Sequence, residues 1–284
     1  MSSAPALRRV ASGLIGGTNV LACALDRSEQ ARLADALRSG AELTVVPSFA
    51  VLQAALRAST RPIDAIVLPA RDDFGESARR TVRLIAAERP RTAIVVYCHP
   101  GWQHDTDLRG LAGAGAHQFV FGGSNDTPAD FRAVIGAARS QCAAECVLQL
   151  LAAYLPAPLH PVVEAAVSRP KTIIDVPRLA SAVGVHRKTL FNICTRNGFV
   201  PPAELLAWVR LTLVGYLLET TGCTIETISI ELSYPSPTAL RNAMKRYTGH
   251  PASQIRANGG SSAVISAFKH RLGRIAGSAS LHAV

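Results

Sequence analysis

The chain has 284 residues, enough for one large domain or two of ordinary size, and 48% of them are hydrophobic. It shows no secretory leader and no apolar run of the ~18 residues that cross a bilayer, so we expect a cytoplasmic protein with no membrane partner. The formal net charge is +10, of which residues 1–156 carry +2 and residues 157–284 carry +8. All four lysines lie in the second part, which favours a polyanionic partner there.

Residues 1–16 are predicted to be a flexible leader. From residue 17 onward, short apolar runs alternate with helical segments. Strands are predicted at TNVLACAL, ELTVVPSF, DAIVLPA, TAIVVYC and HQFVF, each followed by a helix. This alternation predicts an α/β domain over residues 17–156, a five-stranded parallel sheet covered by helices on both faces.

The number and spacing of these elements resemble the receiver domain of response regulators, a flavodoxin-like fold. The residues of receiver phosphotransfer are absent at the matching positions. Ala24-Leu25 stand in place of the acidic pair after the first strand, and Pro69 stands in place of the phosphate-accepting Asp. Cys98 replaces the Ser or Thr after the fourth strand, and Gly122 replaces the Lys after the fifth. Asp26 is at best a displaced remnant of the acidic pair. Without a carboxylate cluster there is no Mg²⁺ site, so we predict a receiver-like domain that does not undergo aspartyl phosphorylation.

The remaining polar clusters do not form a catalytic set. His99 and His104 flank Trp102 in a loop that also holds Asp105 and Asp107, and this corner is either a ligand or metal site or a hydrated loop. Asp72 and Asp73 are interpreted as a solvated loop. The six scattered cysteines are expected to be reduced and buried, with Cys142 and Cys146 on one face of a helix. We predict no enzyme activity, no metal and no cofactor.

A proline-rich break, Pro-Ala-Pro-Leu-His-Pro at residues 156–161, predicts a boundary, with a second, all-α domain over residues 157–257. Its first helix-turn-helix unit is Leu179–Gly198, with Gly184 in the turn. The helix from about Arg187 to Arg196 is predicted to enter a major groove. Its candidate DNA-binding residues are His186, Arg187, Lys188, Asn192 and Arg196.

A second unit, Ile228–Gly249, repeats the plan 49 residues later, with Ser229 at the place of Ala180. Ser236 followed by Pro237 predicts the start of the second recognition helix. Arg and Asn can pair with guanine and adenine edges, and Lys suits phosphate. The candidate DNA-binding residues here are Ser236, Thr238, Arg241, Asn242, Lys245 and Arg246.

Between the units, Ala203 to Leu218 is predicted to be an apolar linker helix. The first unit is followed by Gly198 and Pro201-Pro202, and Arg210-Leu211 lies in the linker helix. The second unit is followed by Gly249, Pro251 and Ile255-Arg256. This order of motifs resembles the AraC/XylS-type DNA-binding domain. The resemblance implies a double helix-turn-helix bundle that reads DNA. The chain departs from the family pattern in Ser229 for Ala and Ser233-Tyr234 for Gly-Phe. Leu240 and Met244 replace two Phe, and His186 replaces the usual Ser cap.

Residues 258–284 begin Asn-Gly-Gly-Ser-Ser and are predicted to be a flexible basic tail, with a short basic helix from Ala263 to Ile275 as the alternative. The leading hypothesis is a sequence-specific transcriptional regulator that binds double-stranded DNA in two adjacent major grooves. The alternative is a protein-interaction module whose DNA domain has decayed, with homodimerisation through the N-terminal domain. A DNA-repair methyltransferase is excluded, since no metal-binding cysteine cluster and no Pro-Cys-His sequence occurs.

Overall fold

The computed structural model describes residues 18–38, 40–72, 74–100 and 105–281. The described residues form two compact units, divided between Cys142 and Ala143. The division falls within a helix, N-terminal to the boundary predicted at Pro156. The predicted leader, residues 1–16, lies outside the described residues, as do Asp73, Trp102 and His104.

The described part of the first unit contains five strands: β1 (Asn19–Cys23), β2 (Glu42–Val46), β3 (Ala65–Pro69), β4 (Ala93–Cys98) and β5 (Gln118–Phe121). Helices follow them in turn: α1 (Arg27–Leu37), α2 (Phe49–Ala58), α3 (Arg79–Glu88), α4 (Asp105–Gly113) and α5 (Pro128–Ala152). Every pairing is parallel, and the order is β2-β1-β3-β4-β5. This is the flavodoxin-like order of a receiver domain, so the predicted α/β fold is confirmed.

The apolar strands alternate their side chains between the two faces of the sheet. Ile66, Leu68 and Val96 belong to one buried cluster, which also takes in Leu52 of α2 and Val82 of α3. Residues of the opposite parity are buried as well, including Tyr97, whose ring stacks on Phe131 of α5 at 6.1 Å between centroids. A sheet buried on both faces explains why β3 and β4 read as continuous apolar runs.

The second unit is helical throughout its described residues. After a short 3₁₀ turn (Ala157–Leu159) come α6 (His160–Ser168), α7 (Val176–Ala182), α8 (Arg187–Arg196), α9 (Pro202–Thr220), α10 (Ile225–Glu231), α11 (Pro237–Thr248), α12 (Ala252–Ala257) and α13 (Ser261–Leu281). Helix α9 is buried along almost its whole length, from Leu205 to Leu218. It packs against elements of both helix-turn-helix units, as expected of the predicted linker helix.

The prediction of a flexible tail over residues 258–284 is wrong for Ser261–Leu281, which form α13. Gly259 and Gly260 adopt positive φ (82° and 48°), so the Gly pair turns the chain back instead of releasing it. Val264 and Phe268 are fully buried, and α13 packs along α9. At the closest approach a side chain on Gly215 would lie 2.8 Å from the backbone of Gly260. The alternative of a short helix was therefore nearer the structure, although the helix is longer.

Candidate nucleic-acid interface

The first helix-turn-helix unit is built as the sequence predicts. Asp175 caps α7 by accepting a hydrogen bond from the Arg178 amide at 2.9 Å. Leu179, Ala180 and Leu190 are buried between the two helices. Gly184 has φ 70° in the turn, a conformation that an L side chain rarely adopts. These contacts fix α8 with one face outward.

Helix α8 carries the candidate residues of the first unit on its exposed face. His186 is the N-cap, and its Nδ1 accepts from the Lys188 amide at 3.2 Å, which explains how this chain manages without a Ser cap. Arg187, Lys188, Asn192 and Arg196 are all exposed. The structure thus brings the five predicted residues to one helix.

Phe191 belongs to this exposed face and was not singled out from the sequence. Phe191 lies between Lys188 and Asn192 in the sequence, and it is 51% exposed. A large apolar side chain on the outward face of a recognition helix has the right chemistry to contact a thymine methyl. The signal was available in the spacing, since residue 191 follows Arg187 by four and Lys188 by three, which places all three on one side of the helix.

The second unit repeats this construction with local substitutions. The Ser236 Oγ caps α11 by accepting from the Ala239 amide at 3.1 Å. Ser229, in the place of Ala180, is 1% exposed, and its hydroxyl donates to the Glu226 carbonyl at 2.8 Å. Because that hydroxyl is hydrogen-bonded, a polar side chain is tolerated between the helices. Leu240 and Met244 are fully buried and keep the unit's core apolar.

Ser233 is the strained position of the second turn. It has φ 53°, the left-handed conformation that its counterpart Gly184 adopts without a side chain. This conformation costs a residue with a side chain on the order of ~1 kcal/mol. The turn continues through Tyr234, whose amide donates to the Ser229 carbonyl at 2.8 Å.

On α11 the side chains of Thr238, Arg241, Asn242, Lys245 and Arg246 are exposed, while Ser236 is half-buried by its capping role. The Arg241 guanidinium pairs with the Glu226 carboxylate of α10. The pKa of Glu226 lies below its ordinary value, through a hydrogen bond from its own backbone amide and then through hydrogen bonds from Thr224 and Arg241. The Arg241–Glu226 ion pair is exposed, so solvent screens it strongly.

A buried arginine, Arg210, links the two helix-turn-helix units. The sequence indicates only that it belongs to the Arg210-Leu211 pair of the family pattern and does not predict its contacts. Arg210 of α9 is 6% exposed. Its guanidinium donates to the Pro170 carbonyl at 2.6 Å and to the Ile173 carbonyl at 3.3 Å, both in the segment before α7. It also donates to the Leu232 carbonyl, at the turn of the second unit. Its guanidinium carbon lies 4.7 Å from the centroid of the Tyr234 ring.

A second contact reinforces this junction, which we define as Pro170–Ile173, Arg210 and Glu231–Tyr234. The Lys171 ammonium pairs with the buried Glu231 carboxylate at 2.6 Å. The junction links the segment that leads into α7 to the end of α10, so each helix-turn-helix unit is held against the same helix. It is the structural reason for expecting a fixed spacing between α8 and α11.

At the carboxyl edge of the sheet in the first unit, two aspartates accept hydrogen bonds from nearby backbone amides. The Asp26 Oδ1 accepts from the amides of Ser28 (2.7 Å) and Glu29 (2.8 Å), so Asp26 caps α1. These bonds, first that from Glu29, hold the pKa of Asp26 below its ordinary value. Asp72 is likewise used within its loop, where it accepts from the amides of Phe74 and Glu76.

Neighbouring polar groups at that edge pair with one another. The Arg32 guanidinium lies 2.9 Å from the Asp126 carboxylate, which also accepts from the Tyr97 hydroxyl at 3.1 Å. The His99 Nδ1 lies 3.1 Å from the buried Glu29 carboxylate. No group of three or more His, Cys, Asp or Glu side chains suited to a metal is found among the described residues.

Cys98, at the position where receivers carry Ser or Thr, is 1% exposed, and burial raises the pKa of its thiol to about 12. The six cysteines are buried, as predicted. Cys142 and Cys146 lie on α5, and burial raises the pKa of the Cys194 thiol of α8 to about 11. Such thiols are neutral packing groups and not nucleophiles.

A family model described as a helix-turn-helix domain matches residues 179–258. A search of curated proteins found no match. No helix in the described part of the chain is long and apolar enough to cross a membrane.

Solved structures similar to this chain include three response regulators. A response regulator receiver domain protein from Clostridium thermocellum is 19% identical and covers 44% of this chain and 95% of its own, with a TM-score of 0.36. RcsB from Salmonella enterica serovar Typhimurium, bound to promoter rprA, is 13% identical over 68% of this chain and 99% of its own, with a TM-score of 0.36. Full-length FixJ from B. japonicum is 14% identical over 84% and 98%, with a TM-score of 0.34.

The residues matched by the family model run from the buried Leu179 of α7 to the end of α12, and so include both helix-turn-helix units and the helix between them. The chain therefore carries a C-terminal helix-turn-helix domain of the AraC type, found in DNA-binding transcription regulators, behind a receiver-like N-terminal domain.

Proposed function

We propose that this protein is a sequence-specific transcription regulator that reads two adjacent major grooves, one with α8 and one with α11. The proposal rests on one observation: the buried helix α9 supports both α8 and α11, and the exposed faces of these two helices are basic. Arg187, Lys188 and Asn192 project from α8, and Arg241 and Asn242 project from α11. Recognition helices held on one scaffold reach successive grooves about one turn, ~34 Å, apart.

The side chains on the two helices divide into those suited to base edges and those suited to phosphates. Arg and Asn side chains carry the donor patterns that pair with guanine and adenine edges, whereas Lys188, Lys245 and Arg246 suit phosphates. His186 and Ser236 cap the two helices and add contacts at their N-terminal ends, where helices of this kind meet base edges. Thr238 and Arg196 complete the two surfaces.

The proposal is tested by selecting a site from a randomised DNA pool and titrating variants against it by gel shift. Asn242→Ala and Arg241→Ala should each weaken binding by ~1–3 kcal/mol and relax selection at one base position. Lys188→Ala should weaken binding to selected and unrelated DNA alike. Arg178→Ala, an exposed arginine on α7, is the matched control and should leave affinity unchanged. Unchanged affinity of Arg241→Ala and Asn242→Ala for the selected site would contradict the assignment of α11.

We also infer that the receiver-like domain works without aspartyl phosphorylation. Pro69 ends β3, Asp26 is engaged as a helix cap, and Arg32, Tyr97 and Asp126 are paired with one another. Incubation with acetyl phosphate and Mg²⁺ should leave the intact mass and the DNA affinity unchanged. A gain of one phosphoryl group that Asp72→Asn or Asp26→Asn abolishes would overturn this inference.

Salt dependence separates DNA reading from the alternative of a protein-interaction module. Binding through phosphates releases counterions, so affinity should fall steeply as salt rises, with a slope of about −0.9 per phosphate contact in a double-logarithmic plot. An apolar association does not show this fall. A flat salt response, together with self-association of the chain, would favour the interaction module.

A further inference from the structure

An acidic residue, Glu226, lies beside the outward face of the second recognition helix. It belongs to the first turn of α10, two residues after the N-cap Thr224, and its carboxylate pairs with the guanidinium of Arg241 on α11. The pKa of Glu226 lies below its ordinary value because its own backbone amide, and then Thr224 and Arg241, hydrogen-bond to the carboxylate. Helix α10 thus holds the acid, and the acid in turn holds the arginine.

The bond to Glu226 leaves Arg241 able to read a base. It engages Nη2, one of the three guanidinium nitrogens. An arginine carries five N–H donors in a fixed fork, and pairing with guanine uses two of them, one for O6 and one for N7. Because the carboxylate already restricts the rotamers of this long side chain, less conformational entropy is lost when the base is bound.

The same carboxylate disfavours contacts without a matching base. In the free protein the Arg241 and Glu226 side chains are 49% and 53% exposed, and solvent screens their charges. DNA lying against α11 excludes that water, and the attraction between the two charges strengthens as the local dielectric constant falls. The negative charge of Glu226 also repels phosphates, so it opposes binding that relies on the DNA backbone alone.

The first helix-turn-helix unit carries a different pair at the matching positions. Counted from the helix N-caps, Glu226 of α10 corresponds to Pro177 of α7, and Arg241 of α11 corresponds to Phe191 of α8. Phe191 is exposed to a similar extent as Arg241. The acid is therefore found in the unit whose outward residue is an arginine, and an uncharged residue takes its place where the outward residue is apolar.

We propose that Glu226 is a positioning residue for DNA recognition, which holds Arg241 toward a guanine and lowers the affinity for other sequences. This inference rests on the proposed function, in which α11 enters a major groove. It assigns part of the specificity of the second unit to α10, a helix that carries none of the base-reading residues predicted from the sequence.

Competition gel shifts on the selected site test the proposal. The base pair that Arg241→Ala relaxes is changed from guanine to each other base, and relative affinities are measured for the wild type, Glu226→Gln, Arg241→Ala and the double variant. We expect Glu226→Gln to lower the preference for guanine there by about threefold or more, and to retain or raise the affinity for unrelated DNA. In the Arg241→Ala background the same change should leave that preference unaltered.

The control is Glu164→Gln, which removes the same charge from the exposed side of α6, outside both helix-turn-helix units. It should leave the guanine preference unchanged, and circular dichroism checks that each variant is folded. Wild-type preference in the folded Glu226→Gln variant, or an equal effect of this change with and without Arg241, would overturn the inference. Failure of the wild type to select any site would instead refute the proposed function, so the two failures are distinct.

Discussion

Replacing Arg210 with Met is expected to damage this protein more than any exposed substitution, because it removes the cation at the junction of the two helix-turn-helix units. The change deletes the hydrogen bonds to the carbonyls of Pro170, Ile173 and Leu232 and the contact with the Tyr234 ring. Methionine fills much of the arginine stem but offers no donor. The carbonyls would then have to find water or remain without a partner.

The magnitude follows from the partners that are lost. Hydrogen bonds to a charged group contribute ~1.5–3 kcal/mol each, and a buried carbonyl left without its donor costs ~1–3 kcal/mol, so the loss of three partners should cost at least ~3 kcal/mol. We expect the free energy of unfolding of the helical unit to fall by that amount. Arg210→Lys retains the charge but cannot reach carbonyls on two sides with one ammonium, so its loss should be intermediate.

The assay is urea unfolding of the full chain in the Trp102→Phe background, followed through the fluorescence of the buried Trp208 of α9. This probe reports on the helical unit even when the two units unfold separately. Arg178→Met is the control, since the Arg178 side chain is 56% exposed and should contribute less than ~1 kcal/mol. If Arg210→Met and Arg178→Met proved equally stable, the junction would not be what holds the units together.

Three further outcomes are expected. Gly184→Ala should lower the free energy of unfolding by ~1 kcal/mol and Ser233→Gly should raise it by ~1 kcal/mol, since both residues adopt positive φ in the two turns. Chemical denaturation in which both free energies changed in the same direction would contradict this. Gly215→Ala should destabilise by ~1–3 kcal/mol through its clash with α13, whereas Gly273→Ala, in open space, should not, and equal melting temperatures of the two variants would refute the close packing. Replacing thymine by uracil in the half-site under α8 should cost the wild type ~0.8 kcal/mol by loss of a methyl contact and cost Phe191→Ser nothing, whereas equal sensitivity of both proteins in gel shifts would exclude that contact.

The elements that could be predicted are those whose signal is local. Strands β3 and β4 could be predicted as continuous apolar runs because both are buried along their whole length. The turns could be predicted from Gly184, Gly198 and Gly249, which adopt positive φ. The Ser236 cap could be predicted for the same reason, since the interaction spans three residues.

What escaped prediction depends on contacts between distant segments. Arg210 is held by carbonyls 40 residues before it and 22 after it, which no short pattern reveals. Helix α13 follows a Gly pair that signals flexibility in the sequence, whereas its packing along α9 depends on residues distant in the chain. Arg241 has the chemistry of a base reader, but its pairing with Glu226 is visible only in the folded unit.

The claim that two helices read two grooves is tested most directly by selecting binding sites from random DNA in parallel for the wild type, Asn192→Ala and Asn242→Ala. The account predicts two conserved blocks in the wild-type sites, separated by about one helical turn, ~10 base pairs. Each variant should relax one block and leave the other intact. A single block, or the same block relaxed by both variants, would contradict the account.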